Sequence, residues 1–361
     1  MADPRLHRIL PCVETRKCGT TGLKLSVLGI GCWSFGGSDE DYWGRQDQSA
    51  AEGVVRRAVE LGINYFDTAE AYNSGRSETA LGQVIRGVPR DSVVIGSKIS
   101  PSNTFPGRIT EHCESSLKRL ATDYIDVYMV HWPLTARSIS FFDRSITTPP
   151  AVDEAFAELM RLREQGKIRF IGVSNFAPGR LREAIDTGAV IAVNQLPYSL
   201  LSRAIEWEIL PSCEQLGVGI IGYMALQQGL LSDRYSSLGE LPALRRRTRH
   251  FDSRKVPQAR HGGNGAEAEL DDALKGIRAL ARDLQTTVSR VALAWCIARP
   301  GVTCALAGAR NVEQLEENAR AFASPLPANL VDELDEITRP LKQKLGPSLD
   351  YWEARDNDRT V

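Results

Sequence analysis

Short apolar runs alternate along the chain with longer stretches whose apolar positions recur every three or four residues. The runs occupy 25–31, 63–67, 93–98, 124–131, 168–173, 190–194, 218–223 and 302–306. Between them, 49–61, 78–85, 109–120, 152–165, 179–186, 203–216 and 312–322 carry helical periodicity. Strands apolar on both faces and interleaved with helices predict a parallel sheet covered on both sides. Eight such units favour a closed barrel over an open doubly wound sheet, although closure itself is not written in the pattern. The predicted class is α/β, a (β/α)8 TIM barrel with an N-terminal hairpin over 15–23, a long seventh βα loop and a C-terminal helical tail.

Two stretches depart from the alternation. Residues 231–265 hold no convincing element, include Arg245-Arg246-Arg247 and Gly262-Gly263-Asn264-Gly265, and are too long for a passive connection. We expect a mobile lid there, followed by helices over 267–283 and 287–299. The tail, 326–361, is expected to add one helix around 330–337 and then wrap the barrel. The organisation expected is one barrel unit over 1–361, with a core of about 15–322 and a tail over 323–361.

Composition narrows the partners. Of 361 residues, 42% are hydrophobic and 25% charged, which suits a globular protein with a sizeable core. A net charge of −1 offers no overall field for nucleic acid or an anionic membrane, so a small molecule is the expected partner. Nothing approaches the roughly 20 consecutive apolar residues of a membrane span, and Met1 to Cys12 lacks a signal-peptide core. The seven cysteines are scattered, without C-x-x-C or zinc-like spacing, which points to a reducing, cytoplasmic compartment. No feature specifies an oligomeric state.

Two motifs mislead. Gly217-Val218-Gly219-Ile220-Ile221-Gly222 reads as G-x-G-x-x-G, but that fingerprint must leave a strand and open a helix, whereas here a helix precedes it and a strand follows. The run Arg245-Arg246-Arg247-Thr248-Arg249-His250 lacks interleaved aromatics and reads as a solvated loop rather than a nucleic-acid patch. The five histidines stand alone, so no metal site is expected.

Barrel enzymes place their chemistry at the C-terminal ends of strands. Asp67, Lys98 and His131 each end an apolar run, and Tyr72 lies in the loop after Asp67. Singly, each is explained as a cap, a core tyrosine, a surface lysine or a satisfied histidine. Together they compose a carbonyl reduction. Tyr72 donates a proton, Lys98 lowers the phenol's pKa by favouring phenolate, Asp67 holds the ammonium, and His131 orients the carbonyl oxygen.

This set resembles the aldo-keto reductases over roughly 15–322. Asn64-Tyr65-Phe66-Asp67-Thr68-Ala69-Glu70-Ala71-Tyr72, then Gly75-Arg76-Ser77-Glu78, is similar to the family's Asp-Thr-Ala-x-x-Tyr segment, and Lys98 and His131-Trp132-Pro133 follow in the family's order. The resemblance implies NADP(H) as cofactor. Ser174, Asn175 and Gln195 would hold the nicotinamide carboxamide, with Tyr223 stacked on the ring and Trp33 beside it. Leu226, Gln228, Gly229, Leu230 and Arg234 would form the pyrophosphate loop. Gly308, Arg310, Gln314, Glu317 and Asn318 would form the adenosine end, Arg310 facing the 2′-phosphate. Some relatives carry lysine at the position of Gly308, so here the NADP preference rests on Arg310. Trp33, Tyr72, His131, Trp132, Phe141 and Phe142 are the candidate substrate wall, for an aldehyde, a keto-sugar or a polyol. Three readings follow: an NADP-dependent carbonyl reductase or alcohol dehydrogenase, an NADPH-binding regulatory barrel with little turnover, and an unrelated metal-dependent barrel.

Overall fold

The computed structural model describes Leu10 and residues 12–361. Residues 1–9 and 11, which include most of the segment read as lacking a signal-peptide core, lie outside the described residues. A hairpin comes first, β1 (Thr15–Lys17) pairing antiparallel with β2 (Lys24–Ser26). Eight parallel strands follow: β3 (Leu28–Gly31), β4 (Tyr65–Asp67), β5 (Val94–Ile99), β6 (Ile125–Val130), β7 (Ile168–Ser174), β8 (Ile191–Pro197), β9 (Gly219–Tyr223) and β10 (Val302–Ala307). They close in sequence order, with β10 bonded to β3. Every residue of β6 and of β8 is buried, as expected of strands covered on both faces.

The outer ring holds α1 (Gln48–Glu60), α2 (Arg76–Ile85), α3 (Arg108–Leu120), α4 (Ala136–Phe142), α5 (Val152–Glu164), α6 (Pro178–Asp186) and α7 (Ile209–Gln215). After β9 come α8 (Glu267–Asp283) and α9 (Val288–Ala298), and after β10 come α10 (Val312–Arg320) and α11 (Ala328–Leu345). The longer helices turn an apolar stripe inward. In α3 the buried positions are Ile109, Cys113, Ser116 and Leu120, the i, i+4, i+7 spacing of one face. Asn311 caps α10 by accepting from Gln314 N at 2.9 Å.

The hairpin plugs the barrel's N-terminal end. Cys18, Leu23 and Leu25 pack with Tyr65, Val127, Met129, Val193, Ile221, Cys304 and Leu306 in the interior. Tyr65 fits because Gly96 faces it, and a Cβ at Gly96 would stand 2.3 Å from the Tyr65 hydroxyl. Gly96→Ala is therefore expected to cost about 1–3 kcal/mol by overpacking, read as a lower denaturation midpoint. Stability within 0.5 kcal/mol of the parent, roughly the effect of a neutral surface change, would refute this packing account.

Several expectations need correction. The run 25–31 is two strands, because the chain crosses from hairpin to barrel at Val27, whose N–H goes to Glu14 O at 3.0 Å and whose carbonyl accepts from Ala305 N at 2.9 Å. The stretch 203–216 is a short turn at Ala204–Glu206 and then α7, because Pro211 has no N–H and is accommodated only in a first helical turn. The loop 133–150 contains α4, which the periodicity did not show, and the tail helix α11 is longer than 330–337. Residues 231–265 are not a free lid. Leu241, Phe251 and Val256 are buried, and Arg249 donates to the carbonyls of Leu345 and Ser348 at 2.8 and 2.6 Å, fastening the loop to the tail. The tail then wraps the barrel, with Thr360 O accepting from Ala177 N at 3.1 Å and the buried pair Arg359–Asp350 at 2.6 Å.

Candidate active site

Strand ends bring the predicted residues to one rim. Asp67 closes β4, Lys98 sits one residue before the end of β5, His131 follows β6, Ser174 closes β7, Gln195 lies in β8 and Tyr223 closes β9. Tyr72 reaches them from a sharply turned segment in which Asn73 (φ 49°), Ser74 (φ 55°) and Gly75 (φ 84°) are all left-handed. Asn73 holds this turn against the first βα loop by donating to the carbonyls of Trp33 and Phe35 at 2.8 and 2.9 Å. Glu70, which sequence reasoning passed over, ties the same segment to the β5–α3 connection. It accepts from Ser100 N at 2.7 Å, Asn103 at 2.8 Å and His112 Nδ1 at 2.7 Å.

At the centre, the fully buried Lys98 ammonium donates to Asp67 Oδ2 at 2.8 Å, to Thr68 O at 2.7 Å and to the Tyr72 hydroxyl at 3.2 Å. Asp67 Oδ1 accepts from Gln195 Nε2 at 2.7 Å. The ring of Tyr72 is stacked on Trp33 at 5.0 Å and lies edge-on to His131 at 5.7 Å.

The electrostatics correct one expectation. Burial, then the negative charge of Asp67, pushes the Tyr72 phenol well above its ordinary value, so the resting form is the protonated one. Burial also lowers the Lys98 ammonium, an effect opposed by Asp67. Burial, together with Lys98, carries His131 far below the usual imidazole range and leaves it neutral. Its Nδ1 is buried without a partner among the described residues.

A second polar cluster continues round the rim. Asn175, left-handed at φ 65°, donates to His131 O and Ser174 Oγ, both at 3.1 Å, and accepts from the Tyr223 hydroxyl at 2.7 Å. Ser174 Oγ donates to Gln195 O at 2.9 Å. Beyond it, Leu226 leads into a tight turn over Gln227–Ser232, with Gln228 at φ 55°, Gly229 at φ 100° and Leu230 buried. Across the β9–β10 junction, Arg310 N donates to Gln314 Oε1 at 2.9 Å and Asn318 Nδ2 to Gly308 O at 3.4 Å.

Not every candidate joins these clusters. Trp132 is buried against Trp352 of the tail and under Arg359, whose guanidinium is 4.1 Å from its ring, so it does not line the rim. Phe142 lies 6.1 Å from His131, but Phe141 turns outward between Arg260 and Arg359. Arg234 is exposed beside Tyr235, and Glu317 is paired with Arg290 at 2.6 Å. Besides Glu70, the residues missed were Tyr42 and Trp43, whose signal was an aromatic pair inside a Gly- and Asp-rich loop. Tyr42 stacks on the far face of Trp33 at 5.2 Å.

The rim suits a dinucleotide. The half-buried ring of Tyr223 is bonded into the Ser174–Asn175–Gln195 cluster beside His131, and Gly31 and Gly308 leave the β3–β10 junction without side chains. Comparison with known proteins agrees. The profile of the aldo/keto reductase family matches residues 27–339. The chain is 32% identical over 323 residues to the NADH-specific methylglyoxal reductase of Escherichia coli, an alignment covering 84% of this chain and 92% of that one. Among solved structures, a thermostable aldo-keto reductase crystallised with epalrestat is 27% identical with a TM-score of 0.69, over 90% of this chain and 99% of that one. The Klebsiella pneumoniae aldo/keto reductase in complex with NADP and acetate is 28% identical with a TM-score of 0.67, over 90% and 95%. Tetrad geometry, barrel and match over most of its length lead to one assignment: the chain belongs to the aldo/keto reductase family of oxidoreductases.

Proposed function

We propose that this protein is an NADP(H)-dependent carbonyl reductase, equally an alcohol dehydrogenase in the reverse direction, in which Tyr72 exchanges a proton with the substrate oxygen. The observation that carries this reading is the placement of the Lys98 ammonium, held by Asp67 at 2.8 Å and still 3.2 Å from the Tyr72 hydroxyl. A cation there does little for a phenol that keeps its proton, but it stabilises the negative charge left on Tyr72 Oη once the proton has moved. The lysine thus acts on the transition state rather than on the resting acid. Neutral His131 can direct an N–H toward the carbonyl oxygen without bringing in a second proton. Gln195 and Tyr65 share the remaining Asp67 oxygen, at 2.7 and 3.3 Å, and keep that carboxylate from turning away from the lysine.

Bound NADPH would supply the hydride. Ser174, Asn175, Gln195 and Tyr223 would hold its nicotinamide end, the Gln228–Gly229 turn its pyrophosphate, and Arg310, Gln314 and Asn318 its adenosine end. The Escherichia coli relative is NADH-specific by name, so the preference of this chain depends on Arg310. Arg310→Ala is expected to raise the Kd of NADPH about ten- to a hundred-fold, the loss of a charge-assisted contact, while NADH changes little. Fluorescence titration of both cofactors checks this, and equal weakening would show that Arg310 does not read the 2′-phosphate.

Small aldehydes, 2-oxoaldehydes such as methylglyoxal, keto-sugars and polyols are the substrate classes proposed. The Trp33–Tyr72 stack and Phe142 present apolar faces beside the proton donor, as the aldehyde or ring face of such molecules requires. NADPH consumption over a panel of these carbonyls tests the reading directly. Tight NADPH binding without turnover on the whole panel would instead favour the regulatory barrel, a reading supported by the contacts of Tyr42 with Gln228 and of Arg310 with Trp43 O across the rim.

A further inference from the structure

The first βα loop crosses the rim and is fastened on both sides of it. At one side the Tyr42 hydroxyl donates to Gln228 Oε1 at 2.5 Å, in the turn after β9. At the other, Arg310 beyond β10 gives one terminal nitrogen to Trp43 O at 2.7 Å and the second to Arg45 O, and Gln46 Nε2 donates to Ala309 O at 3.3 Å. From the long seventh loop, the guanidinium groups of Arg245 and Arg247 cover the rings of Trp43 and Tyr42 at 4.8 and 5.2 Å. Beneath it, Trp33 lies between Tyr42 and Tyr72 in a three-ring stack. The basic run that sequence reasoning set aside as a solvated loop therefore has a partner. Its arginines are the outer face of this closure.

We infer that residues 34–47 form a clasp across the dinucleotide site, that Tyr42 is its fastening, and that Arg310 is the residue through which a 2′-phosphate unfastens it. The inference rests on the NADP(H) reading above. Its physical basis is competition. Both terminal nitrogens of Arg310 donate to clasp carbonyls, and a phosphate gripped bidentately by the planar fork must engage at least one of those two nitrogens, in competition with its carbonyl. NADP(H) would then loosen the clasp on binding, whereas NAD(H), lacking the phosphate, would leave it fastened. Because the clasp spans two loops proposed to hold the cofactor, undoing it governs the rates at which either cofactor enters and leaves more than it governs affinity.

Stopped-flow fluorescence with NADH and NADPH on the full chain, together with hydrogen exchange over residues 41–47, tests this. Tyr42→Phe is expected to raise both the association and the dissociation rate of NADH about three- to ten-fold, the loss of one hydrogen bond, with Kd within about two-fold. Adding 2′-AMP should speed amide exchange at 41–47, and adding 5′-AMP should not. Unchanged rates in Tyr42→Phe, or exchange at 41–47 that slows with 2′-AMP, would overturn the clasp while leaving the cofactor reading intact. Absence of any binding signal for NADPH and 2′-AMP would overturn the cofactor reading itself, and the clasp with it.

Discussion

Tyr72→Phe is expected to lower kcat about a hundred- to ten-thousand-fold, the range for removing a positioned proton donor, and to leave the Kd of NADPH near that of the parent. The ring remains, so the stack on Trp33 at 5.0 Å and the edge contact with His131 persist. Lys98 loses only the longest of its three bonds and keeps Asp67 and Thr68 O. What disappears is a proton needed only as the carbonyl oxygen gains charge, and such a loss lowers kcat and kcat/KM together. Parallel assays of the two proteins over the carbonyl panel decide it, and equal turnover would remove Tyr72 from the chemistry.

The directions of the pKa shifts extend this to pH. With the phenol pushed up and His131 pushed far down, neither group titrates between about pH 6.5 and 9 in the resting site. Lys98 is the group whose change falls within reach, because burial lowers it from its ordinary value of 10.5. As pH rises through that lowered value the ammonium becomes an amine and the charge opposite the developing phenolate is lost. Reduction is thus expected to be flat through neutrality and to fall on the alkaline side before a free lysine would titrate. A kcat profile that falls in acid near 6 instead would return the controlling role to His131.

Much of this site was legible because of where polar residues stand in apolar runs. Asp67, Lys98 and His131 each close a run buried on both faces, and a polar residue kept at such a position marks the open end of a barrel. The strand β6, expected over 124–131 and found at Ile125–Val130, shows the same clarity, since burial on both faces leaves an unbroken apolar string. Contacts between distant segments were not legible. Trp132 looked like a pocket residue beside His131, yet the tail, more than two hundred residues later, covers it with Trp352 and Arg359. The seventh loop lacked periodicity and was expected to move, but single anchors such as Arg249 carry no period and still hold it. The Tyr72 pKa was misjudged for a related reason. A neighbouring cation can be read from a motif, whereas burial depends on what the whole chain stacks around the group, here Trp33 and the loop that carries Tyr42.

Lys98→Met separates stability from chemistry at the same residue. The substitution keeps the length of the side chain and leaves Asp67, its side chain only 5% exposed, without a cation. Removing one member of a buried pair costs about 3–5 kcal/mol, because the remaining charge is desolvated and unpaired. Gln195 and Tyr65 still donate to Asp67 Oδ1, so the variant should fold, with a clearly lower urea midpoint. Reduction should fall at least as far as in Tyr72→Phe, because the charge meant to receive the phenolate is gone. Adding Asp67→Asn to the same chain removes the stranded carboxylate and should recover most of the lost stability, since two neutral side chains of similar size then meet in the interior. It should recover none of the rate. A double variant that regained activity along with its midpoint would show that Lys98 and Asp67 serve folding alone, and a single variant as stable as the parent would show that the pair is not the buried ion pair its 2.8 Å contact describes.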